Sequence, residues 1–93
     1  MKATFGQTLR AYRLGFRPGP LGYWVRIGSH GDNFLVDICP PGCMPKASGG
    51  EYYVWWERGD YTPIIALIYK AIPPGPLTEQ ITFTLNDAGE VVP

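Results

Sequence analysis

The fold is decided by residues 23–38, YWVRIGSHGDNFLVDI. Two apolar runs, Tyr23–Ile27 and Phe34–Ile38, flank a loop at 28–33 that is rich in residues favouring turns. Both runs contain β-branched and aromatic residues, and two such runs around a short polar loop predict a β-hairpin. We therefore expect an antiparallel pair of strands at the centre of the fold.

Glycine and proline divide the rest of the chain into short segments. The 93 residues include 12 glycines and 10 prolines, which leaves little room for long helices. Residues 80–85 alternate polar and apolar side chains, so they predict a half-buried strand with Ile81, Phe83 and Leu85 inward. After a turn, Glu90–Val92 is expected to return as a short strand. We also predict a strand at Tyr52–Glu57.

The apolar segment 61–72 fits either a helix or a strand. Thr62 before Pro63 matches a helix N-cap followed by proline at the first helical position. Its isoleucines are β-branched and favour a strand: Ile64, Ile65, Ile68 and Ile72. We interpret the segment as a strand that has Pro63 at an edge or at its start.

Residues 4–17 are similarly ambiguous. Their apolar residues fall at helical spacing, and Thr4 with Gln7 matches a capping box. Gly6 and Gly15 would each cost a helix interior ~1 kcal/mol. Because the remaining segments resemble strands, we interpret this one as a strand, with one short N-terminal helix as the alternative.

These segments together predict one compact, mainly β domain over residues 1–93. Five to six short strands separated by turns are typical of a small antiparallel barrel or sandwich. No run of apolar residues is long enough to cross a bilayer, and the first residues lack the apolar stretch of a secretory signal. We expect an intracellular or virion location and no membrane.

Charge is unevenly distributed along the chain although the net charge is zero. Five bases and no acids precede Asp32, whereas eight acids and three bases follow from that residue onward. This asymmetry suggests either that the first segment packs beside the last, or that subunits associate head to tail. The sequence pI of 6.5 lacks the basic excess usual in nucleic-acid-binding domains.

The residues with chemical potential do not form a recognisable catalytic or metal motif. Ser29, His30 and Asp32 share one loop, whereas catalytic triads are assembled from distant segments. Cys39 and Cys43 lack the second Cys/His pair of a structural zinc site, so two free thiols are expected over a disulfide or bound zinc. We expect no enzyme activity, cofactor or metal.

Aromatic residues and arginines are the candidate binding residues. Strand alternation places large rings on both faces of Tyr52–Glu57, so one face exposes rings unless something covers it. Three arginines would align on a helix and suit carboxylate or phosphate. The predicted binding residues are Trp24, Tyr53, Trp55, Trp56, Arg10, Arg13 and Arg17.

Low charge, exposed rings and stiff proline loops favour a contact function. We hypothesise a non-enzymatic structural module, a subunit of a larger symmetric assembly such as a virion, where it would decorate a capsid or belong to a tail. A small β-barrel binding single-stranded nucleic acid is the first alternative, with rings stacking on bases. A carbohydrate-binding module that uses Trp24, Trp55 and Trp56 is the second.

Overall fold

The protein is an antiparallel sheet with a helix on each face. Its structure is a computed structural model, which describes residues 4–47, 51–53, 62–72 and 77–93. The strands of the described residues are β1 (Arg17–Pro18), β2 (Trp24–His30), β3 (Asn33–Cys39), β4 (Glu51–Tyr53), β5 (Ile81–Leu85) and β6 (Val91–Val92). The helices in these ranges are α1 (Phe5–Arg13) and α2 (Thr62–Ala71), and a 3-10 turn (Pro20–Gly22) precedes β2.

All six strands belong to one sheet in the order β1-β2-β3-β5-β6, and β4 also pairs with β2. Every pairing is antiparallel. β1 pairs with residues 24–25 of β2 and β4 with residues 27–29, so these two short strands share the edge of β2 that β3 does not use. The mainly β fold predicted from the sequence is confirmed.

The predicted hairpin is the centre of this sheet. β2 and β3 pair along their full length, from Trp24 opposite Cys39 to His30 opposite Asn33. Gly31 adopts a φ of 62°, a left-handed conformation that closes the tight turn. The predicted strands at 80–85 and 90–92 are also present as β5 and β6.

The main core lies between one face of the sheet and α2. Alternate residues of β2 and β3 are fully buried there and contact Ile68 of α2: Val25, Ile27, Val36 and Ile38. From β5, Leu85 is 1% exposed, and Ile81 and Phe83 pack against the same cluster. The inward orientation predicted for these three residues is confirmed.

Two segments interpreted as strands are helices. In 4–17, Thr4 is the N-cap and its hydroxyl accepts from the Gln7 amide at 3.1 Å. Gly15 lies beyond the end of α1 and takes a φ of 90°, so it terminates the helix instead of weakening its interior.

The interpretation of 61–72 as a strand is wrong for the same kind of reason. Its isoleucines recur at spacings of three and four, which gives a helix one continuous apolar face, and Ile68 on that face is fully buried. The free energy gained by burying this apolar face against the sheet exceeds the weak preference of single isoleucines for a strand.

Of the strand predicted at Tyr52–Glu57, the structure describes Glu51–Tyr53 as β4, and residues 54–57 lie outside the described residues. In the ranges that are described, no helix has the length and apolar character needed to cross a bilayer.

Candidate interaction surface

α1 packs on the sheet face opposite the main core. Ala11, Phe16, Trp24 and Cys39 form a second buried cluster there. Trp24 is only 6% exposed, and the ring of Tyr12 meets it edge-on with centroids 5.4 Å apart. The predicted binding residue Trp24 therefore lies under α1, where a partner could not stack on it without displacing the helix.

A buried ion pair lies beside this cluster on the same face. Arg26 and Asp37 are paired across β2 and β3, are 3% and 0% exposed, and contact each other through the guanidinium and one carboxylate oxygen. Arg26 also donates to the Leu14 carbonyl at 3.0 Å and to the Lys46 carbonyl at 3.3 Å. The pair thus ties the end of α1 and the segment around residue 46 to the sheet.

Three side chains, two from α1 and one from the residue before β5, hold the segment 40–46 beside α1. The side-chain amide of Gln7, on α1, donates to the carbonyl of Pro40 at 2.7 Å and to the carbonyl of Cys43. Arg10 donates from Nε to the Pro45 carbonyl at 2.5 Å. Gln80 bonds reciprocally to the backbone N–H and carbonyl of Lys46, at 2.7 and 3.0 Å. Because each of these bonds satisfies backbone groups, the segment keeps a defined shape without belonging to a strand.

The space between α1 and this segment is a groove, which we call the α1 groove. Its volume is about 550 Å³, and its described lining consists of Gly6, Leu9, Arg10, Arg13, Met44, Pro45 and Lys46. Leu9 is 42% exposed and Met44 is 51% exposed. Three cationic side chains surround these apolar groups, and no acidic side chain belongs to the described lining.

Two of the three predicted arginines line the groove, one helical turn apart. Arg17 lies on β1, and its guanidinium is 5.0 Å from the centroid of the Tyr12 ring on the exposed side of α1. Tyr53 is on β4, but its side chain, Trp55 and Trp56 lie outside the described residues. The structure therefore joins Arg10 and Arg13 into one surface and leaves the tryptophans of 54–60 unplaced.

Sequence reasoning missed Leu9, Met44 and Lys46 as groove residues. Leu9 lies four residues before Arg13, and a helical interpretation of 4–17 would have placed both on one face. Met44 and Lys46 carry no such signal, because their position depends on the bonds from Gln7, Arg10 and Gln80.

Acidic residues collect at the opposite end of the sheet, which we call the acidic end. Asp32 lies in the β2–β3 turn, and Asp87 and Glu90 lie in the neighbouring β5–β6 turn. The Asn86 side-chain oxygen organises this second turn by accepting from the amides of Ala88 and Glu90, at 3.0 and 2.9 Å. Val91 follows and is 58% exposed.

The two cysteines are free thiols with different surroundings. Cys39 is fully buried, and burial raises the pKa of its thiol to about 11. Cys43 is partly exposed and donates to the Thr78 carbonyl at 2.6 Å. Among the described residues, no three His, Cys, Asp or Glu side chains are grouped to hold a metal ion.

The side chains of Ser29 and His30 do not converge on one site. Ser29 and His30 are consecutive on β2, so they point to opposite faces of the sheet. His30 is exposed, and its Nδ1 is 3.5 Å from the Thr84 hydroxyl.

A second cavity of about 410 Å³, whose described lining is uncharged, lies near Leu21, Tyr23 and Leu77.

Comparisons of this chain with protein families, with curated proteins and with solved structures find no match.

Proposed function

We propose that this chain is a non-catalytic structural subunit that assembles with copies of itself, and that the α1 groove is a contact surface. One observation carries the proposal: exposed apolar side chains, Leu9 and Met44, lie together among three cations on a surface held in shape by side-chain bonds. Exposed apolar groups with a charged border are typical of protein interaction sites.

The surroundings of the groove extend this surface along α1. Phe5 is 83% exposed and Tyr12 is 47% exposed on the same helix. Aromatic and arginine side chains are the groups most enriched at energetically important interface positions. A partner covering α1 would therefore remove several large apolar side chains from water, each contributing up to ~1.5–3 kcal/mol when fully buried.

We propose a virion as the kind of assembly, with the chain decorating a capsid or forming part of a tail. Support comes from the small size, from a charged fraction of 17%, and from 10 prolines that stiffen the connections. Repeated subunits of a symmetric shell use the same contact surface on every copy.

Substitutions in the groove test the proposal. The double variant Leu9→Gln/Met44→Gln removes apolar surface from the groove, and glutamine at position 9 is still a good helix former in α1. We expect the wild type to show a mass above that of the monomer in light scattering and the variant to be monomeric at the same concentration. The matched control is Leu21→Gln, which removes an 80% exposed leucine outside the described lining of the groove. A variant that associates as strongly as the wild type would argue against the groove as a contact surface.

Single-stranded nucleic acid is a second candidate partner, favoured by the three cations of the groove. Arg10, Arg13 and Lys46 could contact phosphates, and the exposed ring of Tyr12 could stack on a base. Binding of a labelled oligonucleotide that weakens steeply with salt would support this function. The carbohydrate alternative depends on Trp55 and Trp56, because Trp24 is buried.

A further inference from the structure

The cations of the α1 groove and the carboxylates of the acidic end lie towards opposite ends of the sheet. The α1 groove lies near the end where Trp24 pairs with Cys39, because α1 packs on these two residues. The acidic end lies where His30 pairs with Asn33. Within the described residues, four charged residues besides the buried Arg26–Asp37 pair belong to neither surface: Arg17, Glu51, Lys70 and Glu79. Glu79 precedes Gln80, which bonds to Lys46 of the groove, and Lys70 lies one helical turn after Leu67, which is close to Gly89 of the β5–β6 turn.

The two ends are too far apart to neutralise each other within one molecule. The carbonyl of the groove residue Lys46 accepts from Arg26, and four residue steps separate Arg26 from His30 on β2, which is about 13 Å at the rise of an extended strand. The Debye length at physiological ionic strength is about 8 Å. The Arg26–Asp37 pair neutralises one base of the first segment internally, but the cations of the groove and the carboxylates of the acidic end do not face each other within one molecule.

Each end also carries an exposed apolar group among its charges. Leu9 and Met44 lie among the cations of the groove, and Val91 lies beside Glu90 at the acidic end. Opposite charge and matching apolar centres are the features that make two protein surfaces complementary. The acidic end of one copy thus fits the groove of another in both respects.

We propose that the partner of the α1 groove is the acidic end of a second copy of this chain, so that subunits join head to tail. This inference rests on the proposed function and adds the identity of the second surface. A symmetric contact of groove with groove would bring Arg10, Arg13 and Lys46 of one copy against the same cations of the other, which is unfavourable. A head-to-tail contact uses different surfaces, so each added subunit leaves one groove and one acidic end open for further growth.

Mixing two neutralised variants tests the inference. Arg13→Gln/Lys46→Gln changes only the groove, and Asp32→Asn/Asp87→Asn changes only the acidic end; no described side-chain hydrogen bond involves these four side chains. We expect each variant alone to associate about tenfold more weakly than the wild type, since two rim charges are lost. An equimolar mixture retains one native groove and one native acidic end, so at a concentration where each variant alone is monomeric it should form a dimer of twice the monomer mass.

The outcomes separate this inference from the proposed function. If the groove variant associates more strongly than the wild type and the acidic-end variant is unchanged, the contact is symmetric; the head-to-tail inference is then overturned and the proposed function survives. A mixture that stays monomeric, or two variants that behave as the wild type, also overturns the inference. If the wild type itself does not associate, both proposals fail.

Discussion

Arg26 and Asp37 face each other across the central hairpin and form an ion pair that is almost completely buried. Thr82 on β5 donates its hydroxyl to the second carboxylate oxygen at 2.5 Å, and the guanidinium lies over the Phe16 ring at 4.5 Å. The pair therefore links three strands to the C-terminal end of α1.

Neutralising Asp37 is expected to destabilise the protein strongly. Asp37→Asn leaves the Arg26 guanidinium buried without its counter-charge, and losses of this kind amount to about 3–5 kcal/mol. Urea denaturation measures the change in the free energy of unfolding. Asp32→Asn, in the exposed β2–β3 turn, is the control and should change stability by less than about 0.5 kcal/mol. A similar small change for both variants would show that the pair contributes little.

Replacing Gln7 is expected to loosen the segment 40–46. Gln7→Glu places a carboxylate, which has no donor when ionised, against the carbonyl oxygens of Pro40 and Cys43. Gln7→Ala removes the donor without adding repulsion and should cost about 1–3 kcal/mol, with the glutamate variant worse. Urea denaturation of the two variants, compared with Thr8→Ala on the exposed side of α1, checks this order. Equal stability of all three would contradict it.

The thiols are expected to react at very different rates. At pH 8 a thiol with a pKa of about 11 is ionised in only about one molecule in a thousand, and Cys39 is also fully buried. A disulfide reagent should therefore modify about one thiol per chain in the native protein, at Cys43, and both thiols after denaturation. Mass spectrometry of the modified chain identifies the site, and rapid native modification at Cys39 would contradict the burial seen here.

The same shift predicts a loss of stability at alkaline pH. Burial raises the pKa of Cys39 from 9.0 to about 11 in the folded chain, so the folded state holds its proton more tightly than the unfolded state does. This contribution is complete below pH 9.0 and disappears as the pH rises through about 11. Thermal unfolding of wild type and Cys39→Ala over this range should show a steeper alkaline decline for the wild type.

Removing the hydroxyl of Tyr69 is expected to stabilise the protein. This hydroxyl is buried and has no hydrogen-bond partner among the described residues, and burial raises its pKa to about 12. An unsatisfied buried polar group costs roughly 1–3 kcal/mol, so Tyr69→Phe should raise the free energy of unfolding by about 1 kcal/mol. Tyr12→Phe, where the ring is 47% exposed, is the control and should be nearly neutral. A loss of stability in Tyr69→Phe would reveal a partner for this hydroxyl.

Local patterns were sufficient to predict β2, β3, β5 and β6, but not to choose helix over strand for 4–17 and 61–72. Period-two alternation at 80–85 and the two runs around Gly31 each have one arrangement that buries their apolar side chains. For 61–72 the choice between helix and strand depends on burying the apolar face of the sheet, and a local sequence pattern contains no information about that contact. Gly15 weakens a helix only if it lies in the helix interior, and here it follows the last turn of α1.

The candidate surface was predictable only in part. Arg10 and Arg13 were identified from their side chains, and head-to-tail complementarity, one of the alternatives suggested by the charge asymmetry around Asp32, stays a prediction. Met44 and Lys46 were missed, since the segment that carries them is placed by distant bonds from Gln7 and Gln80. Trp24 was selected for its ring, but its pairing opposite Cys39 places it beneath α1.

The mass of the wild-type chain in solution, measured by light scattering over rising protein concentration, tests self-assembly most directly. We expect the mass to rise above that of the monomer at low ionic strength and to fall back in about 0.5 M salt, where the Debye length is only about 4 Å. A monomer mass at every concentration and both ionic strengths would contradict assembly through the α1 groove.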